Sequence, residues 1–208
     1  MRIQTPLEEK WNTITHAFGA ILGGIGLVLL LLFNKQSSVW SLFSITVYGL
    51  SIIILFTASA FYHGVSAKKQ KRYLRILDHI SIYLLIAGTY SPVLLIALQH
   101  SLGWHLFYTV WGIAAFGLVL KLFFTGRFET FSTLLYLVMG WLIVFDFTNL
   151  SQFIGSEGVT LLFAGGLFYT VGIIFYAVER IPYNHVIWHL FVLAGAICHF
   201  LMIFLYVV

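Results

Sequence analysis

Apolar residues run along this chain in stretches of about twenty, with polar residues gathered in short breaks between them. The runs cover 13–33, 39–63, 76–98, 104–124, 131–149, 159–178 and 185–207. Each is long enough for a helix to cross the hydrocarbon core of a bilayer, which takes roughly 20 apolar residues. The breaks NKQSS, GVSAKKQKRYLR, QHSLG, TGRFET, SQFIGSEG and ERIPYN are too short to divide domains. The pattern predicts an all-α membrane protein, a single seven-transmembrane helix bundle over residues 1–208. No internal repeat or low-complexity segment is evident. The first run is longer than the apolar core of a secretory signal and no small-residue cleavage site follows it, so it reads as the first span.

The basic residues give the bundle a direction. With the N-terminus inside, one side holds Arg2, Lys10, Lys68, Lys69, Lys71, Arg72, Arg75, Lys121, Arg127 and Arg180, and the other holds Lys35 alone. Positive residues accumulate on the cytoplasmic side, so the N-terminus is expected in the cytoplasm and the C-terminus outside. Composition agrees with a lipid setting: 61% of residues are hydrophobic, 9% are charged, and mean hydropathy is +0.98. A soluble domain carries about 25% charged residues. The net charge of +4 therefore reports topology rather than nucleic-acid binding. The single Cys198 excludes an internal disulfide framework.

Sidedness brings the ionisable residues together. His63 closes span 2 on the inner side, Asp78 and His79 open span 3, and His185 and His189 open span 7. His16 opens span 1 at the same depth. Histidines at i and i+4 project from one helix face, a spacing that helical zinc sites use. His63 would add a third nitrogen, and three protein ligands with an open position is the pattern of catalytic zinc. Asp78 could ligate, or act as general base toward a water that the metal activates. Ser59, one turn before His63, could steady a ligand or hydrogen-bond that water. The plainer readings are interfacial polar histidines, an Asp78 that caps span 3, and a Ser59 that packs between helices. Ionisable groups inside a membrane are costly and tend to mark function, which favours a metal.

Other polar residues carry less. Glu8 and Glu9 are either partners of the helix dipole in the first turn of span 1 or members of the cluster. Glu179 and Arg180 read as solvated interface charges, and His100 and His105 as surface residues of an outer loop. His199 lies about 21 Å along the helix from His185, too deep to join the same site. It and Cys198 read as packing or a separate function. Asp146 reads as a solvated helix end. Pro92 is expected to kink span 3, with Thr89 or Ser91 compensating the freed carbonyls. Trp11, Trp40, Trp104 and Tyr183 are interfacial candidates. The small-residue runs GAILGGIG (19–26) and AGG (164–166) would let helices approach closely.

The segments EEKWNTITHAFGA, SAFYH, LDHISIYLLIAGTYSP, YLVMGW and RIPYNHVIWHLFVLAGAICHF resemble the bacterial hemolysin III family, in order and over nearly the whole chain. That family is similar to the progestin and adipoQ receptors, adiponectin receptors included. It belongs with the alkaline ceramidases in a group thought to be metal-dependent hydrolases. The resemblance implies zinc on His63, His185 and His189, Asp78 beside the metal's water, and Ser59 in an SxxxH motif. It places the chain in the bacterial inner (plasma) membrane as a multi-pass protein.

Three functions are expected to compete. One is a zinc-dependent intramembrane hydrolase of a lipid amide or ester, its site at the cytoplasmic interface. Another is a non-enzymatic sensor or regulator in which zinc pins spans 2, 3 and 7. The third is a channel or hemolysin-type cytolysin, which would place ionisable groups through the membrane depth rather than at one side. A membrane lipid is the expected substrate or ligand, and no Ser/His/Asp triad is evident.

Overall fold

The computed structural model describes residues 4–208, so Arg2 of the sidedness argument lies outside the described residues. The described chain is helical: α1 (Pro6–Leu32), α2 (Ser41–Gly64), α3 (Lys68–Pro92), α4 (Gly103–Phe124), α5 (Glu129–Trp141), α6 (Phe147–Ala177) and α7 (Asn184–Tyr206). A π-helical turn, Val93–Ala97, follows α3, and a 3-10 turn, Leu142–Asp146, joins α5 to α6.

Several boundaries move outward from those expected by hydropathy. Helix α1 starts at Pro6 because Thr5 and Glu8 form a capping box: the Glu8 amide donates to Thr5 Oγ1 at 3.2 Å, and the Thr5 amide donates to Glu8 Oε2 at 2.8 Å. Helix α3 starts at Lys68, so most of the break KKQKRYLR is helical. Lys, Gln, Arg and Leu are good helix formers, and no Gly or Pro interrupts them. Asp78 is therefore ten residues into a helix and is not its cap. Pro92 ends α3, and the wider π turn absorbs its missing donor, closed by Leu98 N–H to the Val93 carbonyl at 3.0 Å. Ser91 and Thr89 bond the Ala87 and Leu85 carbonyls rather than the Gly88 carbonyl that Pro92 leaves without its helical partner.

Among the described residues six helical segments are long and apolar enough to cross a membrane, one fewer than the seven expected. The difference lies in Glu129–Ala177, which counts as one segment of 49 residues. That segment is not straight. Gly155 breaks it with φ 67° and ψ −178°, a conformation essentially confined to glycine. The chain folds back there: Trp141 Nε1 donates to Thr170 Oγ1 at 3.3 Å, and the rings of Phe147 and Phe163 meet at 5.5 Å. The expected break SQFIGSEG is thus compressed into one residue.

Helix α3 is the centre of the packing. In the Lys68–Ala97 segment 72% of the most apolar stretch is buried, against 17–50% in the other candidate spans. The outer helices present Leu32, Phe123, Phe145 and Leu167 to the surroundings, as a lipid-facing surface requires. Small residues set the close approaches. A Cβ on Gly19 would fall 2.5 Å from Phe56, and one on Gly88 would fall 2.2 Å from Ser51 Oγ.

Candidate metal centre

Near one end of the bundle, His63 from the last turn of α2 meets His185 and His189 from the first turns of α7. The three ring centroids form a triangle with sides of 5.1, 4.9 and 4.7 Å. One nitrogen from each ring lies within 4.8 Å of the others. Nitrogens on a tetrahedral zinc, at 2.0–2.1 Å from the ion, sit roughly 3.4 Å apart, so small side-chain rotations close the set. His63 and His189 are 5% and 2% exposed. His63 Nε2 is buried with no hydrogen-bond partner in the protein, which is what a ligand nitrogen shows before its ion is added. The donor set and its burial fit a divalent cation that accepts imidazole.

The start of α7 is fixed from two directions. Tyr183 takes a left-handed conformation (φ 56°), and its amide donates to Glu8 Oε1 at 3.1 Å. Asn184, buried beneath it, donates Nδ2 to the Phe175 carbonyl at 3.0 Å and ties α7 to the end of α6. Both residues immediately precede His185, so this anchoring sets where the ring begins.

Asp78 and Ser59 are not in the ligand triangle. They line the same cavity as His185 and His189, about 160 Å³ in volume. His16 faces that cavity too, stacked on His189 with ring centroids 3.5 Å apart. The cavity continues between α3, α5, α6 and α7 past Leu85, Ile86, Leu137, Ile173 and Val192 to His199. Beside the triangle it is lined by His16, Ser59, Asp78 and His79; farther along, Thr89, Thr170 and His199 interrupt a wall that is mostly aliphatic and aromatic. His199 does not join the ligand set, as expected. Its Nε2 pairs with the Leu162 carbonyl at 3.2 Å, and its ring packs where a Cβ on Gly165 would be 2.2 Å away.

One expectation is corrected and another is decided between its alternatives. Asp146 is not a solvated helix end. It is 4% exposed and accepts from Ser101 Oγ at 2.5 Å, the Leu102 amide at 2.9 Å and Asn149 Nδ2 at 2.6 Å. It stitches the turn before α4 to the start of α6. Of the two readings of Glu9, dipole partner or member of the cluster, the second holds: its Oε2 accepts from His63 Nδ1 at 2.5 Å, and its Oε1 accepts from Lys71 Nζ at 2.7 Å. His100, His105, Glu179 and Arg180 are exposed, as expected.

A second polar group had no signal in the sequence. Lys121, counted there only as a charge at a membrane edge, is 0% exposed and donates to Glu129 Oε2 at 2.7 Å. Arg75 lies 3.5 Å from Glu129 Oε1, and His79 Nε2 lies 3.8 Å from Oε2. His79 Nδ1 donates to the Arg75 carbonyl at 2.8 Å and lies 3.6 Å from Asp78 Oδ2. This group binds α3, α4 and α5 together behind Asp78.

Comparison with known proteins identifies the family. The profile of a family described as Haemolysin-III related matches residues 4–200. The chain is 44% identical over 201 residues to Hemolysin-3 of Bacillus cereus, covering 96% of this chain and 92% of that protein. It is 44% identical over 202 residues to the Hemolysin-3 homolog of Bacillus subtilis (strain 168), covering 97% and 95%. It is also 30% identical over 210 residues to the human monocyte to macrophage differentiation factor, covering 97% of this chain and 85% of that one. With helices fit to cross a membrane and a histidine triangle that could hold a metal ion, the chain belongs to the hemolysin III family of membrane proteins.

Proposed function

We propose that this protein is a zinc-dependent hydrolase of a membrane lipid amide or ester, working at the cytoplasmic face of the bacterial inner membrane. The observation that carries the reading is the cavity. It joins His185 and His189 of the histidine triangle and the Asp78 carboxylate at one end to a mostly apolar chamber at the other, and that polarity matches a lipid with a scissile head and a hydrocarbon tail. Bound zinc would polarise the substrate carbonyl and make water nucleophilic near neutral pH.

The chain's own groups do the rest. His63, His185 and His189 hold the ion. Asp78 accepts the proton of the attacking water and returns it to the leaving amine or alcohol. Ser59 hydrogen-bonds beside it. The aliphatic wall from Leu85 to Val192 holds the tail and excludes water. Three ligands rather than four favour chemistry over a structural pin.

The topology we propose has seven crossings within one domain spanning the chain. A straight helix of 49 residues would be about 74 Å long, more than twice the roughly 30 Å of a bilayer core. The fold-back at Gly155 supports two passes in that segment. Seven passes keep the basic residues on one side, with the N-terminus cytoplasmic and the C-terminus outside.

The test incubates detergent-purified protein with a panel of ceramides, phospholipids and acyl esters and follows released fatty acid by mass spectrometry. Turnover of at least one class, abolished by His189→Ala, is expected. No turnover across the panel by metal-loaded protein would contradict the hydrolase and favour a regulator.

A further inference from the structure

We infer that Glu9, on a helix that supplies no ligand, is the positioning residue that sets the ring state of His63 and tunes the metal centre. The inference rests on the metal reading above and goes beyond it by assigning a role outside the ligand set.

An imidazole that binds a metal through one nitrogen must present that nitrogen unprotonated, and the hydrogen bond made by the other decides which nitrogen this is. At His63 the choice is forced. Nδ1 lies 2.5 Å from Glu9 Oε2, and a carboxylate there can only accept, so Nδ1 carries the proton. Nε2, buried and without a protein partner, is left for the ion. Asn12 Nδ2 approaches Nδ1 at 3.5 Å, too long to compete with the carboxylate contact.

Glu9 is itself held. Its second oxygen accepts from Lys71 Nζ at 2.7 Å, so α3 fixes the carboxylate that fixes the ring on α2. A carboxylate behind a ligand histidine also raises the ring's basicity and strengthens its bond to the metal.

The same helix repeats the device on α7. One turn beyond Glu9, the Asn12 carbonyl lies 3.3 Å from His189 Nδ1, which directs that ring's proton away from the triangle as well. Glu8 anchors the Tyr183 amide two residues before His185. Residues 8, 9 and 12 thus face the site from one side of α1. The chain supplies its ligands from α2 and α7 and orients them from α1.

The experiment measures zinc affinity by competition with a chromophoric chelator, in wild type, Glu9→Ala, Glu9→Gln and His185→Ala, alongside thermal unfolding of each metal-free protein. Removing an outer partner of a metal-bound histidine costs about 10- to 100-fold in affinity. Glu9→Ala should raise the zinc Kd by that factor with little change in metal-free melting temperature. Glu9→Gln keeps an acceptor but loses the charge, so it should fall between Glu9→Ala and wild type; it also keeps the test alive if the alanine variant folds poorly. Wild-type affinity in both Glu9 variants, with zinc lost in His185→Ala, would overturn this inference and leave the metal site standing. A lowered metal-free melting temperature with unchanged Kd would make Glu9 a structural residue only and overturn it too. Zinc binding by neither wild type nor variants would overturn the metal reading and this inference together.

Discussion

His63, His185 and His189 come from helix ends 122 or more positions apart in sequence, yet their rings converge to within about 5 Å. Sequence made this legible through two independent facts: the i, i+4 spacing on one helix and the side of the membrane each helix end reaches. It did not make Glu9 legible as a partner of His63, because a contact across 54 positions leaves no local pattern. The TPLEE signal for a capping box was present and would have fixed Glu8. Asp146 misled for a related reason: an acid at a predicted helix end looks solvated unless the loop that buries it is known. At this scale the account predicts that Asp78→Asn retains zinc at the wild-type ratio and lowers lipid hydrolysis on the order of 100- to 10,000-fold, the usual worth of a general base. Elemental analysis and fatty-acid release on the same preparation check it. Wild-type turnover in Asp78→Asn would remove Asp78 from proton transfer.

Helices were readable where hydropathy was high and blurred where it was not. The first turns of α3 are polar, so hydropathy marks the span only from residue 76 although the helix starts at Lys68. The reversal lies inside α6, at Gly155 within SQFIGSEG, where one glycine does the work that a loop of eight residues was expected to do. Gly155 is the residue on which that reversal turns, and nothing lies within 4 Å of where its Cβ would be. Any cost of Gly155→Ala is therefore conformational, about 1–3 kcal/mol. Unfolding in mixed micelles should show that loss. Gly112→Ala is the control, because Gly112 lies inside α4 with equally open space around it. Its substitution should be neutral or stabilising by up to about 1 kcal/mol. Equal behaviour of the two variants would contradict the role given to Gly155.

For the whole molecule, single-residue charges gave a sidedness that the described helices alone do not carry. Membrane-impermeant thiol labelling can read it, in a Cys198→Ser background with cysteines placed one at a time. Seven crossings put Lys69, Arg127 and Arg180 on the inner side, and Lys35, His100 and Gly155 on the outer side. Labelling of positions 127 and 180 from opposite sides would mean that Glu129–Ala177 crosses once and would overturn the seven-pass topology. What the sequence could not convey at this scale is the cavity. It is built from side chains of six helices and runs from the histidines to His199, and no segment of the chain contains it.

The measurement that reaches the central claim most directly is metal content. The protein would be purified in mild detergent, without chelator or a histidine tag, and assayed by elemental mass spectrometry beside His185→Ala. The account predicts close to one zinc per wild-type chain and its loss in the variant. Well-folded wild-type protein that holds no metal, even after zinc is supplied, would contradict it, and the three histidines would then be no more than polar groups at a membrane interface.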